Sequence, residues 1–500
     1  MFCRRDTVKL ITKKIFLEYD YCPVRGWIER NEPREFTPTI AEDFRMKEGL
    51  DIGRRARSLF PEGILIEELD PFEASFISER IISDGQSVTL FEPAFISDDF
   101  VSRADVVRKE GGELDVFEVK SSLAGSSNTK DYIRDLSYTV SVIENSGYSV
   151  RKACLIMVSR MYRKGDDDRK LFEIIDVTGE VSEQKIEIMA KFEFASAILT
   201  STLIPSGSLG YKCRDCEHLR RCFSLDRRLS IFELPRLGAD KTDALIEKGY
   251  FYLKELPQEV LGDKPLLQRV FRGAKSGRIV FDEPEKLREK LNSLKYPIGY
   301  LDFETAASVI PLYNDLAPYE GIPYQYSLHI RREASDALEH REFLFNNPSR
   351  DESLLLAKRL VEDLKDCRTL MAHHASVERN ILRWLSNRYK DYPELSEQLI
   401  SFSEIFVDSE LLVKDHIYHP DFGGSFSIKK LLPALVEDIG YEGLFIHNGD
   451  DARYVFVNMA LGNYRESEVE RIRRDMLEYC KMDTLAMVEI HRFLCDLSSE

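Results

Sequence analysis

The segment GYLDFET (299–305) sets two carboxylates, Asp302 and Glu304, one residue apart behind an apolar lead-in. In a β-strand residues i and i+2 point the same way, so the two acids stand side by side on one face. Like charges at that range repel unless a cation lies between them. A solvated strand end tolerates the same pair, so the metal reading needs further acids that converge on it. Near the end of the chain, DMLEYCKMDTLAM places Tyr479 and Asp483 at i and i+4, on one helix face about 6 Å apart. A tyrosine one turn before an aspartate can hold a water against a metal which that aspartate binds. Between them, MAHHASVERNIL offers His374, with Glu378 at a helix start. IFVDSELL offers Asp408, either as an auxiliary acid or as the polar end of a buried strand.

A second group of residues lies in RADVVRKEGGELDVFEVKSS, from Arg103 to Ser122. Gly111-Gly112 suits the positive φ of a two-residue hairpin turn, with β-rich runs on both sides. Centring the turn there makes paired positions sum to 223, which sets Asp105 opposite Glu118, with Cβ atoms about 5 Å apart. Lys120 shares that face, while Ala104, Val106, Phe117 and Val119 fall on the other, which reads as core. Two opposed acids and a lysine are costly as packing and sensible as a metal site. The acids bind a divalent ion, and the lysine positions or activates the attacking water.

A third group is soft. CRDCEHLRRC puts Cys213, Cys216 and Cys222 in a C-x2-C-x5-C array, and Cys22 in EYDYCPVRGW is the natural fourth ligand. Zinc and an iron–sulfur cluster both accept four thiolates, and the spacing alone leaves both open. Cys154, Cys367, Cys480 and Cys495, each isolated in an apolar setting, read instead as small buried hydrophobes.

The elements that must carry these groups divide the 500 residues into three expected segments. Residues 1–228 hold strand-like runs, helical stretches and most of the cysteines. Residues 229–275 form a helical connector, and from 276 to 500 strand patterns such as IGYLDFET and YQYSLHI alternate with amphipathic helices, an α/β signature. Within the connector, LPRLGADKTDALIEKG resembles a single helix-hairpin-helix, although a domain-linking helical hairpin accounts for it as well. In HPDFGGSFSIKKLLPAL, a Gly423-Gly424 turn leads into a helix whose first amides, with Lys429 and Lys430, suit either a phosphate or a plain helix start.

A net charge of −17 argues against a protein that coats nucleic acid non-specifically, but not against an enzyme acting through local basic patches and metal ions. Basic clusters occur in GRRAR (53–57) and HLRRCFSLDRR (218–228), each equally readable as a solvated helix face. No apolar run approaches the roughly 20 residues of a membrane span. The N-terminus mixes charges through its apolar residues, unlike a signal peptide. A cytoplasmic address is expected, and in that reducing setting nine cysteines are not a disulfide framework.

The D…E-x-K pattern of Asp105, Glu118 and Lys120, with one cysteine before it and three after, resembles the RecB-like branch of the PD-(D/E)XK nucleases. The likeness is to the iron–sulfur members found in CRISPR adaptation and in end-processing helicase–nucleases. It implies a restriction-endonuclease-like domain whose Cys22, Cys213, Cys216 and Cys222 hold a 4Fe-4S cluster that ties the N-terminus to the domain's end. Two positions depart from that pattern. Gly53 stands where a metal-binding histidine is usual, which leaves Glu48 or Asp51 as substitutes, and Thr139 stands where a glutamine is usual.

Asp302, Glu304, Glu378, Tyr479 and Asp483 in turn resemble a DEDD-type 3′–5′ exonuclease of the ribonuclease-H-like fold, in its tyrosine-containing version. The middle motif departs from an asparagine and an aspartate to His374 and Glu378, and one extra methylene shifts a carboxylate by about 1 Å. The resemblance implies two-metal phosphodiester hydrolysis, with Asp302, Glu304, the middle acid and Asp483 holding two Mg²⁺ or Mn²⁺ ions roughly 4 Å apart. The whole order resembles an uncharacterised group of bacterial and archaeal proteins that joins the two modules. The expectation is a nuclease with two active sites, acting on nucleic acid, DNA in preference to RNA, away from membranes. A nucleic-acid-binding scaffold with degenerate sites, or an RNA-processing exonuclease, is the competing expectation.

Overall fold

A computed structural model describes residues 9–85, 87–436, 446 and 448–499. Residues 1–8, on which the reading of the N-terminus partly rests, lie outside the described residues. The protein is mixed α/β with several sheets, and it divides into two compact units, Met1–Gly207 with Ser308–Glu320 and Ser208–Ala307 with Gly321–Glu500.

The first unit is built on strands β1 (Ile64–Leu65), β2 (Ser87–Phe91), β3 (Ala94–Ser97), β4 (Phe100–Arg103), β5 (Val106–Glu110), β6 (Glu113–Leu123), β7 (Val150–Val158) and β8 (Phe172–Asp176). Six of them form one sheet in the order β1-β2-β5-β6-β7-β8, and β3 pairs with β4 apart from it. The β5–β6 hairpin turns at Gly111, whose φ is +65°, and pairs Val106 with Phe117 and Glu110 with Glu113, the register given by the sum of 223. Helices α1 (Lys13–Tyr21), α2 (Pro23–Asn31), α3 (Ile40–Ala56), α4 (Pro71–Asp84), α5 (Thr129–Asn145) and α6 (Thr178–Thr200) complete the unit.

Adjacent residues of the hairpin enter different cores, as a strand's alternation requires. Val107, Val116 and Leu155 pack with Phe16, Tyr138 and Phe192. Val106, Phe117 and Ile156 pack with Ile52, Ala56 and Val309. The face carrying Asp105 and Glu118 is therefore covered too, whereas the sequence suggested core on the opposite face alone.

The second unit carries a five-stranded sheet of β10 (Ile298–Ala306), β11 (Ile322–Arg331), β12 (Glu339–Leu344), β13 (Thr369–Ala372) and β14 (Phe406–Asp408), in the order β12-β11-β10-β13-β14. The first strand in sequence, β10, is central: it runs antiparallel to β11 and parallel to β13. Two short strands, β9 (Val280–Phe281) and β15 (Ile417–Tyr418), pair separately. Helices α7 (Leu219–Phe223), α8 (Ala239–Glu247), α9 (Pro265–Ser276) and α10 (Pro284–Asn292) precede the sheet. Helices α11 (Ser353–Leu364), α12 (Ser376–Arg388), α13 (Pro393–Ser403), α14 (Ser409–His416), α15 (Ile428–Leu435), α16 (Gly449–Ala460) and α17 (Glu466–Ser499) are interleaved with it or follow it.

The units divide the chain differently from the three expected segments. Residues 208–275 belong to the second unit because Leu253, Leu256, Leu261 and Val270 bury in the same core as Tyr300, Met487 and Ile490. Residues 308–320 belong to the first because Val309 buries beside Ile52 and Phe117. The connector is not a helix-hairpin-helix. After α8 the chain runs through the 3₁₀ turns Leu253–Glu255 and Gln258–Leu261 before α9 begins at Pro265, so no second helix follows the first across a tight turn. Among the described residues no helix is long and apolar enough to cross a membrane.

Candidate metal centres

Asp302 and Glu304 lie on β10 opposite Ser327 and Gln325 of β11, and their face is covered by α17. The long helix is keyed to the sheet at four levels. Gln325 Nε2 donates to the Met476 carbonyl at 2.8 Å, Ser327 Oγ meets Thr484 Oγ1 at 2.7 Å, and Tyr300 OH meets His491 Nδ1 at 2.7 Å. Cys480 Sγ lies 3.5 Å from Asp302 Oδ2. The spacing from 476 through 480, 484 and 491 is that of one helix face, and it aims Asp483 at the strand acids. Among the described residues, Asp302, Glu304 and Asp483 are the group of possible ligands whose donor atoms all lie within 4.8 Å of one another.

The negative charges of this cluster reinforce one another. Burial, then Asp483, Glu304 and Glu378, hold the Asp302 carboxyl well above its usual range. Burial and Asp483 push Glu304 up to about 8, against opposing pulls from Lys429 and Arg453. Glu378, on the first turn of α12, is pushed to about 8 by burial and Asp408, and its Oε2 is buried without a hydrogen-bond partner. Glu378 acts on Asp302 and Glu304 through its charge but stands outside the close group of three. An orphaned carboxylate oxygen beside three converging acids is a donor set short of a cation, and it fits divalent metal.

Tyr479 is buried one turn before Asp483, and its hydroxyl meets Lys429 Nζ at 2.8 Å, with the ammonium also 4.7 Å from the ring centre. Burial lowers the Lys429 pKa, opposed by the pull of Asp483 and Glu304. The Gly423-Gly424 turn places it: Gly424 has φ +76°, and a Cβ there would lie 1.9 Å from the Glu233 carbonyl oxygen. Helix α15 then starts at Ile428, with Lys430 exposed and Lys429 directed to Tyr479. The lysine pair in the sequence thus splits, and only Lys429 reaches the acids.

Two sequence-derived residues take other roles. Asp408 is the N-cap of α14, its carboxylate accepting the amides of Glu410, Leu411, His374 and Ala375, so the strand-end reading describes it. His374, at φ +70°, is exposed and bonds Glu410 Oε2 at 2.9 Å, away from the acid group.

In the first unit, the hairpin brings Asp105, Glu118 and Lys120 to one end of the sheet. Glu118 Oε1 is bonded by Lys120 Nζ at 3.1 Å and by Lys13 Nζ at 2.5 Å, while Asp105 Oδ2 accepts the Val119 amide at 2.6 Å. Lys120 also bonds Asp135 Oδ2 on α5 at 2.6 Å. Burial pushes Asp105 up to about 7, with Glu118 adding to the rise. For Glu118 burial also acts upward, but Lys13 and Lys120 outweigh it and hold the carboxyl low. Burial lowers the Lys120 pKa, yet Glu118 and Asp135 more than reverse this and raise it. Of the substitutes for the missing histidine, Glu48 accepts the Val309 amide at 2.8 Å and Asp51 pairs with Arg54 and Arg55. Gly53 faces open space, and Thr139 is buried, bonded to Ser102.

Cys22 caps α2 in the first unit. Three hydrogen bonds anchor that helix to the end of α6, from Trp27 to the Ser201 carbonyl and from Arg30 and Asn31 to that of Leu199. In the second unit Cys213 ends a 3₁₀ turn, Cys216 lies in the loop after it and Cys222 is on α7, Cys213 being buried with Leu219, Leu225 and Phe232. Among the described residues these thiols are not brought within 4.8 Å of one another as a ligand group, so the expected cysteine centre is not assembled here.

Residues 299–427 match a family described as a domain of unknown function, DUF2779. The match takes in Asp302, Glu304 and Glu378 and ends short of Lys429, Tyr479 and Asp483. The chain is also similar to the uncharacterized protein MG366 of Mycoplasma genitalium, 25% identical over 228 residues, 42% of this chain and 34% of that protein. Its homolog in Mycoplasma pneumoniae is 23% identical over 243 residues, again 42% of this chain and 34% of the relative. The match thus spans about a third of the length of these relatives.

Lys13, Asp135 and Cys480 were not singled out in the sequence as site residues. Asp135 lies one helical turn before Thr139, where the resemblance already directs attention. Nothing in the sequence near Lys13 points 105 residues ahead to Glu118.

Proposed function

We propose that the second unit is a metal-dependent nuclease of the DEDD kind with a ribonuclease-H-like fold. It hydrolyses phosphodiester bonds of nucleic acid, DNA ends or single strands in preference to RNA. The observation that carries this reading is the convergence of Asp302, Glu304 and Asp483 between strand and helix, beside a Glu378 whose Oε2 is orphaned. In the same reading the first unit is a RecB-like PD-(D/E)XK domain. Cys213, Cys216 and Cys222 then supply thiolates to a soft metal centre.

Divalent ions bound by Asp302, Glu304 and Asp483 would supply the charge that activates water and stabilises the leaving oxygen. Glu378 is a further carboxylate whose charge reaches Asp302 and Glu304. The Tyr479 hydroxyl, held by Lys429, orients the attacking water, and the Lys429 ammonium offers positive charge where negative charge develops. The test is incubation of the purified chain with labelled single- and double-stranded DNA and RNA, with Mg²⁺, Mn²⁺ or chelator. Cleavage that needs metal is expected. Binding without cleavage under every metal condition would contradict the proposal and favour a scaffold.

Tyr479→Phe is expected to slow hydrolysis roughly a hundredfold with metal affinity unchanged, and Lys429→Met to have a similar effect. Because both act on one oriented water, the double variant should be hardly slower than either single one. Additive losses would show that the two residues act separately.

A pH dependence also follows. An unfolded glutamate titrates near 4.5, but burial and Asp483 push Glu304 in the folded chain up to about 8. Between those values the folded state binds the extra proton, so stability is fully present below about 4.5 and is lost as pH rises toward 8. Glu304→Gln removes this loss. In chelator the variant's Tm advantage over wild type should grow from pH 5 to pH 8, and a gap that is constant or shrinks would contradict a raised Glu304 carboxyl.

A further inference from the structure

The acid pair of the first unit does not fit a divalent ion as it stands, and the reason lies in one side chain. Helix α1 is pinned above this end of the sheet. Phe16 is fully buried among Phe100, Tyr138 and Phe192. Tyr138 OH donates to the Ile11 carbonyl at 2.9 Å, and Asp20 is held by Arg134 and by Lys191 at 2.7 Å. Lys13, at the first turn of this fixed helix, therefore has a defined place, with Nζ 2.5 Å from Glu118 Oε1.

Each carboxylate that would complete a metal site here is already engaged through at least one oxygen, while Glu118 Oε2 is buried without a hydrogen-bond partner. Glu118 Oε1 takes two ammonium groups, Asp105 Oδ2 takes a backbone amide, Glu48 takes the Val309 amide and Asp51 takes two arginines. A small divalent ion seated about 2.1 Å from a Glu118 oxygen would meet the Lys13 ammonium at a separation where like charges repel strongly. Moving Lys13 away would in turn leave a buried carboxylate short of a partner unless a cation replaced it.

We propose that the Lys13 ammonium is the resident cation of this centre: it takes the place beside Glu118 that a divalent metal would occupy, and keeps the first unit's acid pair metal-free. Metal-dependent cleavage by the chain then comes from the second unit, and the first unit contributes binding. The inference stands whether or not the second unit binds metal, because its readout depends on Glu118.

The experiment uses the full chain carrying Asp302→Asn, dialysed against micromolar Mn²⁺, with bound manganese counted per chain. Glu118→Gln in that background should change nothing while Lys13 is present. Lys13→Met should add about one manganese per chain, and Glu118→Gln should remove it again. Manganese that binds with Lys13 intact and disappears on Glu118→Gln overturns the proposal. So does a folded Lys13→Met chain, judged by circular dichroism, that gains none. If Lys13→Met does not fold, Lys13→Gln replaces it under the same criterion, and the arm with Lys13 intact decides the matter regardless.

Discussion

Asp302→Asn is expected to cut Mg²⁺- or Mn²⁺-dependent hydrolysis by about a thousandfold or more, a loss of about 4 kcal/mol of transition-state stabilisation. The same change should leave the metal-free chain as stable as wild type or more so. Asp302 sits among Asp483, Glu304 and Glu378, and its carboxyl is held far above the usual range by burial and by those charges. The neutral amide keeps the size and removes the repulsion. An inactive but more stable variant is the signature of a site built for a cation. Ordinary loss of a buried packing group would instead lower activity and Tm together. An active Asp302→Asn chain would contradict the assignment of this acid.

Cys213→Ser is expected to have the second large effect. Protein purified without oxygen should carry about four irons and a brown colour, and the serine variant should lose both. Cys213 is buried with Leu219, Leu225 and Phe232, so a centre bound there would also staple a small apolar cluster. Loss of about 3 kcal/mol there corresponds to a Tm fall of about 5 °C for a unit of this size. Stoichiometric zinc without iron in such a preparation would replace the cluster by a zinc centre. A chain with neither metal and an unchanged Tm on Cys213→Ser would contradict a metal centre altogether.

What could be read from the sequence was whatever follows from period and from turn chemistry. The i, i+2 rule placed Asp302 and Glu304 on one face, the i, i+4 rule placed Tyr479 with Asp483, and the glycine pair led to the register that sets Val106 opposite Phe117. What could not be read depends on contacts distant in sequence. Lys13 meets Glu118 only because α1 is pinned by Tyr138 and Asp20, and Lys429 meets Tyr479 only because Gly424 passes against Glu233. Asp408 and His374 looked like site residues because their types suit metals, yet backbone amides and Glu410 engage them. The unit boundaries were missed for a similar reason. The leucines of the connector carry no mark of which core they will enter, and Val309 returns to the first unit from a loop between β10 and β11.

The central claim is that Asp302, Glu304 and Asp483 hold divalent metal. The most direct test is the thermal shift of the full chain with Mn²⁺, comparing wild type with Asp302→Asn and Asp483→Asn. A ligand that binds only the folded state stabilises it by mass action, by about 2.7 kcal/mol at a hundredfold excess over Kd. A rise of several degrees is expected for wild type at millimolar Mn²⁺, and no such rise for either variant. A wild-type chain whose Tm does not move with Mn²⁺ or Mg²⁺, or variants that rise as far as wild type, would contradict the claim.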